Sequence, residues 1–307
     1  MAHCNHIKST VIYKTVDDLP LCADVYIPKS PLVSEAGRPV VFNMHGGGFI
    51  EGNRETCIST LAEQIPKRGW VLISIDYRLA PEVKLGDIWL DCEDAWKWLH
   101  QEAAKQFGPL DLTRVAVSGF SAGGLLALIA GYRFSPKPKA IIDYYGCADI
   151  TDTIFYPGTR EVSKDEIREL YSKRVLSGVP SIVKDGKMYG DERRSLLVSG
   201  LLQNGIWAEH VLGFDPYEKS NSHLLAPWLP EKNITSDFPP TYVLHGNMDT
   251  AVSITQSLRL VEVLKKTNVV HEFLVADGKD HIFDQFINAD EFNTLIAPTY
   301  QFLEKYL

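Results

Sequence analysis

A serine hydroxyl becomes a useful nucleophile only when an imidazole takes its proton and a carboxylate holds that imidazole in the right tautomer. Three well-separated segments of this chain offer those groups in the order serine, acid, histidine. Ser121 sits in Gly119-Phe120-Ser121-Ala122-Gly123, between the apolar run Val115 to Ser118 and the apolar segment Leu125 to Gly131. That pentapeptide is GxSxG in a strand, turn, helix context, where a strained, tightly folded turn exposes the hydroxyl at a helix N-terminus and its flanking positions must lack bulk. Asp249 closes Tyr242-Val243-Leu244-His245-Gly246-Asn247-Met248-Asp249, a strand running into a polar loop, and His281 closes Asp277-Gly278-Lys279-Asp280-His281 after the strand-like run Glu272 to Val275. Both loops fall at the carboxyl ends of strands, where ligands gather in sheets of this kind.

A fourth segment, His45-Gly46-Gly47-Gly48, follows the run Pro39 to Met44. Consecutive glycines there can aim backbone N–H groups at one spot, as stabilising the oxyanion of an acyl transfer requires. The phosphate-cradling patterns GxxxxGK and GxGxxG are absent. Of the other histidines, His45 is expected to brace the glycine loop. His245, too close in sequence to Asp249 to come from a separate loop, and His3, His6, His100, His210, His223 and His271 read as surface or packing residues. Asp280 and Asp284 are rival acids, but both lie too near His281 for a separate-loop arrangement.

These groups need a scaffold, and the rest of the chain describes one. Thr10 to Thr15 and Leu21 to Ile27 suit an opening antiparallel pair. Then Pro39 to Met44, Trp70 to Ile75, Val115 to Ser118, Ala140 to Tyr145 and Thr241 to Leu244 are short, mostly apolar runs separated by helix-length segments, the pattern of strands buried on both faces of a parallel sheet. From Leu85 to Phe107, Ile88, Trp89, Cys92, Ala95, Trp96 and Leu99 recur at helical spacing, and Ile254 to Lys266 and Glu291 to Leu307 behave similarly. The alternation of strand and helix fails between about Thr151 and Pro239. There Ser163 and Glu166 form a capping-box pattern ahead of Ile167, Leu170 and Tyr171, and a second helical patch spans Ser195 to Gln203. The expected division is an α/β core of residues 1–150 and 240–307, with residues 151–239 inserted as a cap or lid.

Composition narrows the classes of partner. The 307 residues are 45% hydrophobic, enough for one large buried core. A net charge of -8 with scattered basic residues argues against nucleic acid. MAHCNHIKST lacks an apolar leader and no apolar run spans a membrane, so a cytoplasmic, non-membrane protein is expected. Five dispersed cysteines without a CxxC pair imply neither a disulfide framework nor a metal site. The Asn233-Ile234-Thr235 sequon carries no weight without secretion.

Taken together, HGGG at His45 to Gly48, Tyr77-Arg78-Leu79-Ala80-Pro81-Glu82, GFSAGG at Gly119 to Gly124, the HGNMD segment and the late His281 resemble the hormone-sensitive lipase group of α/β-hydrolases, an esterase family. The resemblance implies an α/β-hydrolase fold, with a mostly parallel central sheet flanked by helices and a helical cap insertion. It implies Ser121 as nucleophile, Asp249 and His281 as its partners, and the amides of Gly47, Gly48 and Ala122 as the oxyanion hole. The YRLAPE segment looks structural, bracing the glycine loop. Two features depart from the family pattern. Phe120 stands where the family usually has Asp, and the segment ahead of the first strand is very short.

The expectation is therefore a serine carboxylester hydrolase needing no cofactor and no metal. Phe49, Phe120 and Trp207 are the candidate substrate contacts, with Phe214 and Trp228 as further aromatics of an apolar pocket. The substrate would be a small-molecule acyl ester or thioester, or an acyl chain bound to a carrier protein. Two alternatives use the same sequence: a thioesterase or acyltransferase of polyketide or other secondary metabolism, and a non-hydrolytic cyclase or ligand-binding member of the fold.

Overall fold

Runs of β-branched and aromatic residues with no polar alternation are stable as strands only when both faces are covered. In the computed structural model, which describes residues 5–32, 34–152, 160–179, 181–184 and 187–307, four such runs are strands buried at every position: β3 (Arg38–Met44), β4 (Val71–Ile75), β6 (Ala140–Tyr144) and β9 (Thr241–Gly246). Around them stand β1 (His6–Val16), β2 (Leu19–Pro28), β5 (Leu110–Phe120) and β10 (His271–Ala276). The eight form one sheet in the order β1-β2-β4-β3-β5-β6-β9-β10. The β1–β2 and β2–β4 pairs are antiparallel and the remaining pairs parallel. This is the expected sheet, with a longer opening hairpin. His3 and Cys4 lie outside the described residues, and the other four cysteines are unpaired.

Helices cover both faces. On one side, α2 (Leu85–Trp98) and α3 (Ala122–Arg133) enclose Phe42, Val117 and Val243 with Trp89, Trp96, Leu125 and Ile129. On the other, α1 (Ser59–Lys67) and α8 (Ala297–Leu303) enclose Val41, Leu72, Ala116 and Tyr242 with Leu61, Ile65, Tyr300 and Phe302. The stripe from Leu85 to Phe107 is helical throughout but passes through a π turn at Leu99–Ala103, and the C-terminal stripe is likewise broken by one at Phe292–Ile296.

The segment between β6 and β9 holds α4 (Lys164–Leu170), α5 (Glu192–Gln203) and α6 (Trp207–Leu212). It also contains a two-stranded hairpin, β7 (Ser181–Lys184) and β8 (Lys187–Gly190), which the helical reading of this region did not include. Ser163 caps α4 through the Glu166 amide at 3.2 Å, but the Glu166 carboxylate pairs with Arg160, so only half of the expected capping box forms. The segment is stitched onto the sheet's carboxyl-end loops. Isolated antiparallel bridges join Gly52 to Val179 and Arg78 to Ser177, and the Leu79 amide donates to the Leu176 carbonyl at 2.8 Å.

Candidate active site

The turn from β5 into α3 places Ser121 at φ 53°, ψ -118°, a conformation that L-residues adopt only when the surroundings compel it. Tight packing does so here. A side chain on Gly119 would come within 1.9 Å of the Gly123 carbonyl oxygen, so strand and helix can meet only through glycine. The Ser121 amide donates to the Tyr144 carbonyl at 2.9 Å, fixing the turn to β6. Its hydroxyl stands at the start of α3, where the helix dipole favours developing negative charge.

Two loops from the far edge of the sheet reach this hydroxyl. The Ser121 hydroxyl lies 3.0 Å from His281 Nε2, and His281 Nδ1 lies 2.7 Å from Asp249 Oδ2. The second oxygen of Asp249 accepts the amides of Ala251 (2.9 Å) and Val252 (2.8 Å). Burial pushes this carboxyl up, but hydrogen bonds from His245 and His281 outweigh it and hold Asp249 well below the ordinary carboxylate range. The carboxylate is therefore ionised and aimed, and it keeps the Nδ1 hydrogen of His281 in place so that Nε2 can receive a proton from serine.

The rival acids have other partners. Asp280 ties the two loops together, accepting from the Thr250 amide at 2.8 Å and from the His281 amide at 2.7 Å. Asp284 is buried against the Tyr145 hydroxyl at 2.5 Å, and burial raises its carboxyl to about 6 despite hydrogen bonds from Tyr145 and Gln285. The Tyr145 ring stands edge-on to the His281 ring, 4.8 Å between centroids, so it walls the imidazole from the β6 side.

The glycine loop lies against the elbow: a side chain on Gly46 would meet the Phe120 carbonyl oxygen at 2.8 Å and Ser121 Cβ at 3.3 Å. Gly47 has φ 106° and Gly48 φ 60°, both in the left-handed half of the map. Among the described residues, the amides of Gly47, Gly48 and Ala122 donate to no other backbone group. His45 braces the loop from behind. Its Nδ1 pairs with the Gly46 carbonyl at 2.7 Å, and its ring stacks on Tyr77 at 4.0 Å, while the Tyr77 hydroxyl donates to the His45 carbonyl at 2.7 Å. Burial pulls the His45 imidazole down to about 4, against the smaller opposing effect of its Gly46 hydrogen bond, which leaves it neutral at pH 7.

The three aromatic candidates divide between the faces of the sheet. Phe49 (φ 64°) stacks on Trp207 at 6.1 Å, and Trp207 Nε1 donates to the Gly48 carbonyl at 3.0 Å, so both belong to the wall of the glycine loop. Phe120 does not join them. It packs on the opposite face, stacked on Tyr144 at 4.6 Å within the layer that also holds Val41 and Leu61, because successive strand residues point to opposite sides. Trp228 lies under Arg133, 5.0 Å from its guanidinium, and both Trp228 and Phe214 pack against the core.

Two further residues touch the site without a sequence signal of their own. His245 contacts Asp249, with 3.2 Å between Nε2 and Oδ2, although its closeness in sequence made it read as packing. Arg194, a charged helix residue 2% exposed, donates to the Ile50 carbonyl at 2.9 Å and to the Ala80 carbonyl at 3.0 Å, holding the glycine loop to the YRLAPE turn.

Sheet order, elbow, and a serine, imidazole and carboxylate in line at the carboxyl edge together define an α/β-hydrolase. The BD-FAE family model matches residues 23–177, half of the chain, and the chain belongs to that family. A model of the prolyl oligopeptidase family matches residues 198–307. Among solved structures, a thermophilic esterase from Thermogutta terrifontis superposes with TM-score 0.66 at 20% identity, covering 97% of this chain and 92% of that one. An esterase from Pyrobaculum calidifontis gives TM-score 0.67 at 23% identity, covering 98% and 85%. Curated relatives are of another kind. The non-reducing polyketide synthase pkbA of Emericella nidulans is 31% identical over 92% of this chain, and Preu6 of Preussia isomera 28% identical over 92%. The chain spans only 13% and 14% of the length of those two proteins. No helix among the described residues is long and apolar enough to cross a membrane.

Proposed function

We propose that this chain is a serine hydrolase that cleaves a carboxylic ester through an acyl-enzyme. Ser121 attacks the acyl carbonyl as His281 takes its proton, and Asp249 orients and stabilises the imidazolium. The amides of Gly47, Gly48 and Ala122 receive the oxyanion. The imidazolium then protonates the departing alkoxide, and a water activated by the same imidazole releases the acid. Residues 151–239 act as the cap of the pocket, with Phe49 and Trp207 on its acyl-facing wall. The observation that carries the reading is the unbroken line from Asp249 through His281 to Ser121, with spacings of 2.7 and 3.0 Å. The chemistry calls for side chains and backbone amides alone. Ser121→Ala should abolish turnover of a short p-nitrophenyl ester, a loss of about a million-fold for a triad that acts as a unit. Retained activity refutes the proposal.

A second reading concerns the acyl donor. Alignment of nearly the whole chain to a short stretch of non-reducing polyketide synthases favours a thioester substrate, a polyketide or other acyl chain on a carrier protein. The same acyl-enzyme would then be released by water, by an alcohol or by a nucleophile within the chain itself. Graded panels of acyl esters and acyl thioesters separate the two readings by their kcat/KM ratios. A fluorophosphonate that fails to label Ser121 would favour a binding role instead.

A further inference from the structure

His245, fully buried at the end of β9, touches the carboxylate that holds the base. Its Nε2 lies 2.8 Å from the Val252 carbonyl and 3.2 Å from Asp249 Oδ2, and its Nδ1 lies 2.7 Å from Ser257 Oγ on α7 (Thr255–Lys266). A carbonyl and a carboxylate can only accept, so Nε2 carries a hydrogen whether the ring is neutral or charged. Oδ2 of Asp249 therefore pairs with His281 Nδ1 and lies 3.2 Å from the hydrogen-bearing Nε2 of His245, which also faces the Val252 carbonyl, while Oδ1 receives two backbone amides.

We propose that His245 is a positioning residue for the catalytic base: by donating to Asp249 Oδ2, it fixes the carboxylate rotamer and drains charge from the oxygen that faces His281. This rests on the serine-hydrolase reading above and adds a fourth side chain to it. A donor at Oδ2 weakens the Coulomb attraction between the Asp249 carboxylate and a positively charged His281 ring. The charged and titratable groups facing this pair come from several elements. Asp143 on β6 lies on the same side of the sheet as His245, since it pairs in register with Val243. His281 faces Asp249 from the loop after β10, and Asp280 and Asp284 flank His281. The hydroxyl of Ser257 is the contact from α7.

The experiment uses the full chain and a p-nitrophenyl ester. In His245→Leu the acid limb of kcat/KM against pH should move to higher pH by about one unit, and kcat should fall about tenfold with KM nearly unchanged, the size expected for one lost hydrogen bond to a charged group. His245→Gln, which keeps an N–H donor, should return the limb toward its original position. A Leu variant with an unmoved limb overturns the inference, as does a kcat loss that the Gln variant shares in full with no movement of the limb. Should the Leu variant not fold, the unmodified protein decides: long-range 1H–15N spectra must show His245 protonated on Nε2, and a bare Nε2 overturns the proposal. Fluorophosphonate labelling of the unmodified protein is run alongside. Labelling at Ser121 with an unmoved limb discards only the role of His245, whereas no labelling discards the hydrolase reading and this one with it.

Discussion

Arg194 grips Glu82 with both ends of its guanidinium, at 2.8 and 2.9 Å, across 112 residues of sequence. The same side chain donates to the carbonyls of Ile50 and Ala80, so one planar fork holds the segment between β6 and β9, the glycine loop and the turn after β4 in a single arrangement. Arg194→Met keeps much of the volume but leaves Glu82 with only the Ser172 amide and removes a donor from two carbonyls, and breaking a buried pair costs about 3–5 kcal/mol. The urea midpoint should fall accordingly and ester turnover with it, and Arg194→Lys should recover little because a single ammonium cannot replace the fork. Unchanged denaturation and turnover in the Met variant would contradict this clamp.

Gly47 has no room for a side chain: at φ 106° an added Cβ would lie 2.1 Å from the Glu51 carbonyl oxygen. In Gly47→Ala the loop must shift its amides away from Ser121. Losing one oxyanion donor costs about 100- to 1000-fold in kcat, while far-ultraviolet circular dichroism should stay unchanged. A Gly47→Ala enzyme with normal kcat would remove this loop from the mechanism.

Phe120 is a core residue placed beside Ser121. Truncation to alanine empties the space against Tyr144 and Tyr145 and should cost about 3–5 kcal/mol. Phe120→Asp restores the residue usual in the resembled family but buries a carboxylate among aromatics, and should be worse than alanine. Equilibrium denaturation of the three proteins gives the order, and acyl-chain preference should change little in the alanine variant.

Asp143, on β6, is buried with no side-chain hydrogen-bond partner among the described residues, and burial raises its carboxyl from 3.8 to about 7 against smaller pulls from His245 and the Gly146 amide. A raised carboxyl binds its proton more tightly folded than unfolded. Its contribution is fully present below pH 3.8 and is lost as pH climbs through 7. Asp143→Asn mimics the protonated form, so its Tm advantage over the parent should be small at pH 4 and largest above pH 7. Calorimetry across that range reads it directly, and a pH-independent gap refutes the assignment. His45 works in the opposite sense: held near 4, it contributes stability above pH 6.5 that is lost as pH falls through 4.

The parts of the site that the sequence displays are those whose chemistry demands a residue type at a fixed local spacing. Glycines two before and two after Ser121, three glycines after His45, and polar loops closing apolar strands all advertise themselves in this way. Contacts formed across the fold do not. The side on which Phe120 packs was hidden because β5 is apolar on both faces, so alternation carries no information about which face meets the pocket. Arg194 carries no signal in the sequence because its carboxylate partner, Glu82, lies 112 residues away. His245 was set aside for its closeness to Asp249, yet the loop curls back within four residues to bring the two together. The paired strands Ser181–Lys184 and Lys187–Gly190 are four residues each, too short for alternation to mark them.

The imidazole beside Ser121 follows β10, one of the two edge strands of the sheet, which among the described residues pairs only with β9 and leaves Val275 42% exposed. The serine is anchored at the centre of the sheet and His281 at its rim. An edge strand is held by fewer backbone hydrogen bonds than the strands inside the sheet, so warming should loosen the His281 loop while the centre of the sheet is still intact. Heat would silence this protein before melting it, and cooling from that interval should bring the activity back.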